Sequence, residues 1–366
     1  MSIQSIVPEH IRGLTPYPPG KPLSELAREL GVTSAIKLAS NENAFGPSPL
    51  AQEAMQASLS ELHRYPDGGA FYLKNRLAQS LNVDSAQLML GNGSNELIEL
   101  LIRTFGSPEH GVLTSETTFV VYRLISTAAG IPFRAVPMKD LTFDLDAIAD
   151  AIDTSTRMIF LCNPNNPTGT RFSREALDRF VDRIGDEPIL VLDQAYVEFV
   201  SEADRIDAFG ILARRPRTVI LRTFSKAYGL AGARVGYGIS HPELVDYVNR
   251  VRQPFNVNLL GQVGARAALD DETYLQRIID ATNTGLDLIC DALRQLDLTP
   301  VPSFTNFVLF DCHRVAKPIY DALLKEGVIV RPMHAYGLPN HLRVNVGTEA
   351  ENERFLSTLR RVLSAL

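Results

Sequence analysis

The 366-residue chain has no tryptophan, three cysteines and seven histidines. Cys162, Cys290 and Cys312 are odd in number and lack Cys-x-x-Cys spacing, so neither a disulfide framework nor a zinc ribbon is expected. The histidines are scattered and form no His-Glu-x-x-His pattern, so no metal is expected. There is no basic excess: 36 lysines and arginines against 42 acids leave a net charge of −6, unsuited to a phosphate backbone. No apolar run is long enough to span a bilayer, and Met1-Ser2-Ile3-Gln4-Ser5 has no signal-peptide pattern. The expectation is a cytoplasmic protein with small-molecule ligands, no nucleic acid and no membrane.

What is present is a large core, with 45% hydrophobic residues, and a length that suits two domains. Residues 1–42 are proline-rich, notably Thr15-Pro16-Tyr17-Pro18-Pro19-Gly20-Lys21-Pro22, and read as an arm with one short helix near Ser24–Leu30. From 43 to 258, short β-branched runs alternate with amphipathic stretches. Strands are predicted at Gln87–Leu90, Gly111–Thr114, Arg134–Val136, Met158–Cys162, Ile189–Leu192, Val219–Arg222 and Val235–Ile239, and helices at Glu96–Phe105, Phe119–Ala129 and Arg174–Ile184. That alternation predicts an α/β domain with a mostly parallel, helix-covered sheet and ligands at the strands' carboxyl ends. Residues 259–366 read as a smaller α+β domain packing with the arm. It has strands at Asn306–Phe310, Val328–Arg331 and Leu342–Val346, a helix at Ala316–Glu326 and a closing helix from Thr348 with Glu351 as its capping box.

Four segments carry chemistry. Leu88-Met89-Leu90-Gly91-Asn92-Gly93-Ser94-Asn95-Glu96 runs from a strand through a glycine turn into a helix, a place where backbone N–H groups can receive an anion. The third glycine of a dinucleotide fingerprint is missing, and an ordinary turn capped by Ser94 stays open. Cys162-Asn163-Pro164-Asn165-Asn166-Pro167-Thr168-Gly169 holds amide side chains rigidly at a strand end, where a plain turn is the alternative. Ile189-Leu190-Val191-Leu192-Asp193-Gln194-Ala195-Tyr196 ends a buried strand on an acid, which needs a cation or donors; a structural ion pair or a cationic ligand group would both serve. Val219-Ile220-Leu221-Arg222-Thr223-Phe224-Ser225-Lys226 sets one lysine among small residues, with Arg234 eight positions on. Most lysines are solvated, but this one is placed as an amine nucleophile.

In this order and spacing, Asn-Asn-Pro-Thr-Gly, Asp-x-x-Tyr and Ser-Lys-x-x-x-Leu-Ala-Gly-x-Arg resemble the fold type I pyridoxal-phosphate aminotransferases, and within them the histidinol-phosphate aminotransferase branch. The resemblance covers nearly the whole chain. It implies pyridoxal 5′-phosphate as cofactor, carried by Lys226 as a Schiff base, with Lys226 also shuttling the proton and Asp193 pairing with the pyridine nitrogen. It assigns Asn166 and Tyr196 to the cofactor's 3′-oxygen, Gly93, Ser94, Asn95, Ser225 and Arg234 to its phosphate, and Phe119 to stacking on its ring; for Phe119 plain core packing is the alternative. His63-Arg64-Tyr65-Pro66 resembles a segment whose tyrosine reaches the other subunit's cofactor, implying a homodimer with shared sites. His63 stands where asparagine is usual, and Gln194 where glutamate is common.

For the substrate, Arg331 and Arg343 offer planar guanidinium groups suited to carboxylate or phosphate. The resemblance places them with Tyr17 at the phosphate of histidinol phosphate and puts Asn306 in the same pocket. The expected reaction moves an amino group between L-histidinol phosphate and 2-oxoglutarate, giving imidazole acetol phosphate and L-glutamate, in histidine biosynthesis. An aromatic amino-acid aminotransferase, a decarboxylase on the same cofactor scaffold and a non-enzymatic binding protein are the alternatives.

Overall fold

A computed structural model describes residues 3–16 and 34–366. Tyr17 and the helix expected near Ser24–Leu30 lie outside the described residues. The chain enters the folded body through β1 (Ile36–Lys37). It then lays down β2 (Leu88–Gly91), β3 (Gly111–Ser115), β4 (Phe133–Val136), β5 (Thr156–Cys162), β6 (Ile189–Asp193), β7 (Thr218–Thr223) and β8 (Gly236–Ile239). These seven form one sheet in the order β2-β8-β7-β6-β5-β3-β4, with β8 antiparallel to both its neighbours and the remaining pairs parallel.

The reason is legible in the strands themselves. β5 and β6 read Thr-Arg-Met-Ile-Phe-Leu-Cys and Ile-Leu-Val-Leu-Asp, near-continuous apolar runs that alternate in no useful way because both sheet faces are covered. One face buries Met89, Phe160, Val191 and Leu221 against Leu97, Ile98 and Leu101 of the helix Ser94–Phe105. The other buries Leu90, Ile159, Leu161 and Leu192 against Leu177 and Phe180 of the helix Arg174–Arg183. Truncating a ring such as Phe160, fully buried here, to alanine would cost about 3–5 kcal/mol.

The C-terminal part adds β9 (Thr299–Pro300), β10 (Phe307–Asp311), β11 (Val328–Ile329), β12 (Arg331–Pro332) and β13 (His341–Asn345). A four-stranded sheet, β12-β13-β10-β9, shares a separate core with Leu286, Ile289, Ile319, Leu323, Phe355 and Leu359. The closing helix Glu349–Ala365 begins with the expected Thr348/Glu351 capping box. Two details differ from the sequence reading. The single strand expected at Val328–Arg331 is two short ones: β11 pairs with β1 and β12 with β13, so the chain changes sheets at Val330. The helix Leu259–Ala268, placed by the sequence reading in the C-terminal part, sends Ala265, Ala268 and the following Leu269 into the core of the large sheet.

Candidate active site

The parallel strands β5, β6 and β7 all point their carboxyl ends the same way, so Cys162, Asp193 and Thr223 meet at one edge. There they line a cavity of about 330 Å³. Ser94, Asn95, Phe119, Asn166, Tyr196, Ser225, Lys226, Arg234, Arg331 and Arg343 line it too. The structure thus gathers most of the residues singled out in the sequence.

The anion end is built by backbone. The helix Ser94–Phe105 starts at Gly93 (φ 80°) with no side-chain cap, whereas the helices Pro49–Ala57 and Arg174–Arg183 are capped by Ser48 and Ser173. Ser94 is therefore not the cap, and its first-turn N–H groups and helix dipole face an unblocked end. A Cβ on Gly93 would lie 2.3 Å from Nη2 of Arg234, and one on Gly236 would lie 2.3 Å from the Ser94 nitrogen, so two glycines permit this approach. Arg234 itself is left-handed (φ 58°), an unusual backbone for arginine. Its guanidinium donates to Ser225 Oγ (3.3 Å), Ala231 O and Asn92 O, with no carboxylate partner among the described residues.

At the other end, Asp193 is 2% exposed. Its Oδ2 accepts from Tyr122 Oη at 2.6 Å and its Oδ1 from the Ala195 N–H at 3.2 Å, yet it makes no ion pair among the described residues. Burial pushes its carboxyl above the ordinary value, against those hydrogen bonds and the Lys226 charge, which pull it down. A buried, doubly held carboxylate facing a cavity lacks only a cationic ligand group. Lys226, between the two ends, donates to Asn41 O at 3.3 Å and lies 5.6 Å from the centre of the Tyr196 ring. Its amine is lowered to about 8, by burial first and then by Arg343.

Tyr196 Oη accepts from Asn41 Nδ2 at 2.8 Å, while Asn41 Oδ1 is buried without a partner among the described residues. Arg343 donates to Asn166 Oδ1 at 2.5 Å and to Ala39 O at 3.0 Å, with its guanidinium 5.0 Å from the centre of the Phe307 ring. Arg331 is its register partner across β12 and β13. Asn306 does not line the cavity; it donates to Asn41 O (3.0 Å) and Glu42 O (3.3 Å) and so holds the segment that does. Tyr65 is also elsewhere, 82% exposed and stacked on Phe255 with ring centres 4.7 Å apart.

Sequence reasoning missed Tyr122, Asn41 and Tyr336, all at or beside this cavity. Tyr122 stands three positions after Phe119, at the start of the helix Val121–Ala128, and the two rings meet edge to face with centres 5.7 Å apart. An anion cradle, a depressed amine and a buried carboxylate converging in one cavity fit pyridoxal 5′-phosphate.

Comparison with known proteins agrees with this geometry. The family model "Aminotransferase class I and II" matches residues 33–359. Histidinol-phosphate aminotransferase 2 of Pseudomonas fluorescens (strain Pf0-1) is 48% identical over 97% of this chain and 96% of its own length. Histidinol-phosphate aminotransferase 1 of Nitrosococcus oceani is 47% identical, covering 96% of this chain and 95% of its own. Among solved structures, the histidinol-phosphate aminotransferase from Sinorhizobium meliloti in complex with pyridoxal-5′-phosphate superposes with a TM-score of 0.91 at 28% identity, over 99% of this chain and 98% of that one. The chain therefore belongs to the class I and II aminotransferases, on their histidinol-phosphate aminotransferase branch, and is a pyridoxal-phosphate-dependent enzyme.

Proposed function

We propose that this enzyme transfers the amino group between L-histidinol phosphate and 2-oxoglutarate, giving imidazole acetol phosphate and L-glutamate, in histidine biosynthesis. The observation that carries the substrate is the pairing of Arg331 and Arg343 across β12 and β13, both facing the cavity that contains Lys226. Two guanidinium groups in one pocket suit a phosphate in one half-reaction and a dicarboxylate in the other.

When bound, pyridoxal phosphate supplies a carbonyl for an amine and an electron-poor ring that accepts the electron pair left at the substrate Cα. The rest belongs to the chain. Gly93, Ser94, Asn95, Ser225 and Arg234 would hold the cofactor's phosphate. Asp193, buried and held by two hydrogen bonds, would stabilise a protonated ring nitrogen far better than a solvated acid would. Asn166 and Tyr196 would hold the ring oxygen, and Phe119, in the same lining, would pack against the ring. Lys226 would anchor the cofactor through Nζ; its lowered value lets the amine be neutral at mildly alkaline pH, as needed to take the Cα proton.

Tyr65, exposed and stacked on the partly exposed Phe255, supports a homodimer in which it completes the partner's site. Residues 43–269, the helix Leu259–Ala268 included, form the cofactor domain and residues 270–366 a smaller domain that β1 joins, in a cytoplasmic enzyme; no helix among the described residues is long and apolar enough to cross a membrane. The decisive experiment mixes purified holoenzyme with histidinol phosphate and no keto acid, following the cofactor's visible absorbance. Loss of that absorbance is expected, and phenylalanine should produce it far more slowly. The reverse preference would point to an aromatic amino-acid aminotransferase.

A further inference from the structure

A second cavity, of about 180 Å³, lies behind the turn Asp67-Gly68-Gly69-Ala70 and shares no lining residue with the catalytic one. Two cations line it, Lys74 from the helix Phe71–Leu81 and Arg252 from the end of the helix Pro242–Val251. Neither has a carboxylate partner among the described residues. Arg252 donates to two neutral amides, Asn249 Oδ1 at 3.1 Å and Asn256 Oδ1 at 2.7 Å, and the Lys74 ammonium makes no hydrogen bond among the described residues. The one acid in the lining, Asp67, already accepts from the Gly69 and Phe71 N–H groups at 2.8 Å each.

Lys74 is only part-exposed, and its ammonium is lowered from the ordinary value by burial and then by the Arg252 charge, with Asp84 opposing. Two like charges in a confined space repel, and an enclosed, desolvated setting strengthens that repulsion. The nearby acids leave the pair unbridged: Asp67 is engaged by backbone N–H groups, and Asp84 acts on Lys74 without forming an ion pair among the described residues. A counter-charge between the two groups would relieve that repulsion.

We propose that this cavity is a binding site for a small oxyanion, held between Lys74 Nζ and the Arg252 guanidinium. The site also adjoins working parts of the enzyme. Arg252 holds Asn256, whose Nδ2 donates to Glu96 Oε2 at 2.6 Å, and that oxygen also accepts from the Asn92 N–H at 2.6 Å, next to the Gly93 turn. Phe255, in the same wall, carries Tyr65. The bound ion therefore steadies the segment that links the cofactor's phosphate end to Tyr65.

The test uses inorganic phosphate with holoenzyme saturated in pyridoxal phosphate. Calorimetric titration of the wild type should resolve binding beyond that of the catalytic pocket. Lys74→Met should weaken this component at least about tenfold, the loss of one charge-assisted contact, while Arg343→Leu should remove only the catalytic-pocket share. Without phosphate, Lys74→Met should melt higher than wild type because the repulsion is gone, and phosphate should narrow that gap. Lys74→Gln repeats both readouts with a polar side chain. In a crystal soaked with selenate, anomalous density should lie between Lys74 and Arg252. Unchanged phosphate binding in both Lys74 variants, or selenate confined to the catalytic cavity, would overturn the proposal.

Discussion

The phenolic oxygen of Tyr122 lies 2.6 Å from Oδ2 of Asp193, joining a helix that follows β3 to the last residue of β6. This bond pulls down a carboxyl that burial raises above its ordinary value, and so favours the ionised form that a protonated ring nitrogen needs.

Tyr122→Phe should therefore act through Asp193 rather than through the fold. A hydrogen bond to a charged group is worth about 1.5–3 kcal/mol, so turnover should fall roughly ten- to a hundredfold. The aromatic core around Phe160 keeps its ring, and the melting temperature should change little. The acid limb of the pH–rate profile should move upward as Asp193 becomes easier to protonate. A variant with wild-type turnover and an unmoved acid limb would show that the Ala195 N–H alone suffices.

Lys226 makes a second prediction, about reconstitution. With its amine lowered to about 8, the fraction able to attack the cofactor's carbonyl should grow with pH and level off above about 8. Stopped-flow absorbance after adding pyridoxal phosphate to apoenzyme measures this. Arg343 is the second-largest cause of the lowering, so in Arg343→Leu the levelling point should shift to higher pH. A rate that climbs steadily toward the ordinary lysine value in the wild type would mean that the amine is not perturbed.

Which parts of this site could be read from sequence follows from how each part is made. Asp193, Lys226 and Asn166 end, or closely follow, apolar strands, and a strand's carboxyl end in a parallel sheet is a place that local pattern alone defines. The Tyr122–Asp193 bond joins residues 71 positions apart, and no periodicity encodes which donor will face a given acid. Asn41 was hidden for another reason: it belongs to a segment that reads as arm, yet its amide reaches Tyr196, 155 positions on. The break between β11 and β12 was hidden because Val328-Ile329-Val330 is apolar throughout, so nothing in the run marks where the pairing partner changes. Pattern states that a strand is buried, not which strand lies beside it.

Glu198 makes a prediction about stability. Its carboxyl is buried, with Oε2 unpartnered among the described residues, and it is pushed up to about 7, by burial first and with Arg222 and Arg205 opposing. A folded-state value above the unfolded one means that the folded protein holds the proton more tightly. Its contribution is thus fully present below the ordinary glutamate value and is lost as pH rises from about 4.5 to about 7. The whole effect is on the order of 3 kcal/mol. Glu198→Gln cannot ionise, so its stability should fall less over that window and exceed the wild type's at mildly alkaline pH. Denaturant titration of both holoenzymes across the window checks this, and parallel curves would mean that Glu198 ionises normally.

The last prediction separates the two substrate arginines. A ping-pong enzyme releases one product before the next substrate enters, so one pocket must hold a phosphate and then a carboxylate. Arg343 is fixed for both by Asn166 and the Ala39 carbonyl, which leave its guanidinium little freedom to follow either ligand. Arg331 stands beside it on the short strand β12, nearer the edge of the sheet. Losing a charge-assisted contact in a desolvated pocket costs about 2–5 kcal/mol, so Arg343→Leu should slow both half-reactions by roughly thirtyfold or more. Arg331→Leu should penalise histidinol phosphate more than glutamate, since a phosphate can engage both guanidinium groups. Single-turnover kinetics of each variant with each amino donor alone measures the four effects. Arg343→Leu that processes glutamate at the wild-type rate would place the carboxylate on another residue, and equal losses for both donors in Arg331→Leu would deny that arginine a phosphate preference.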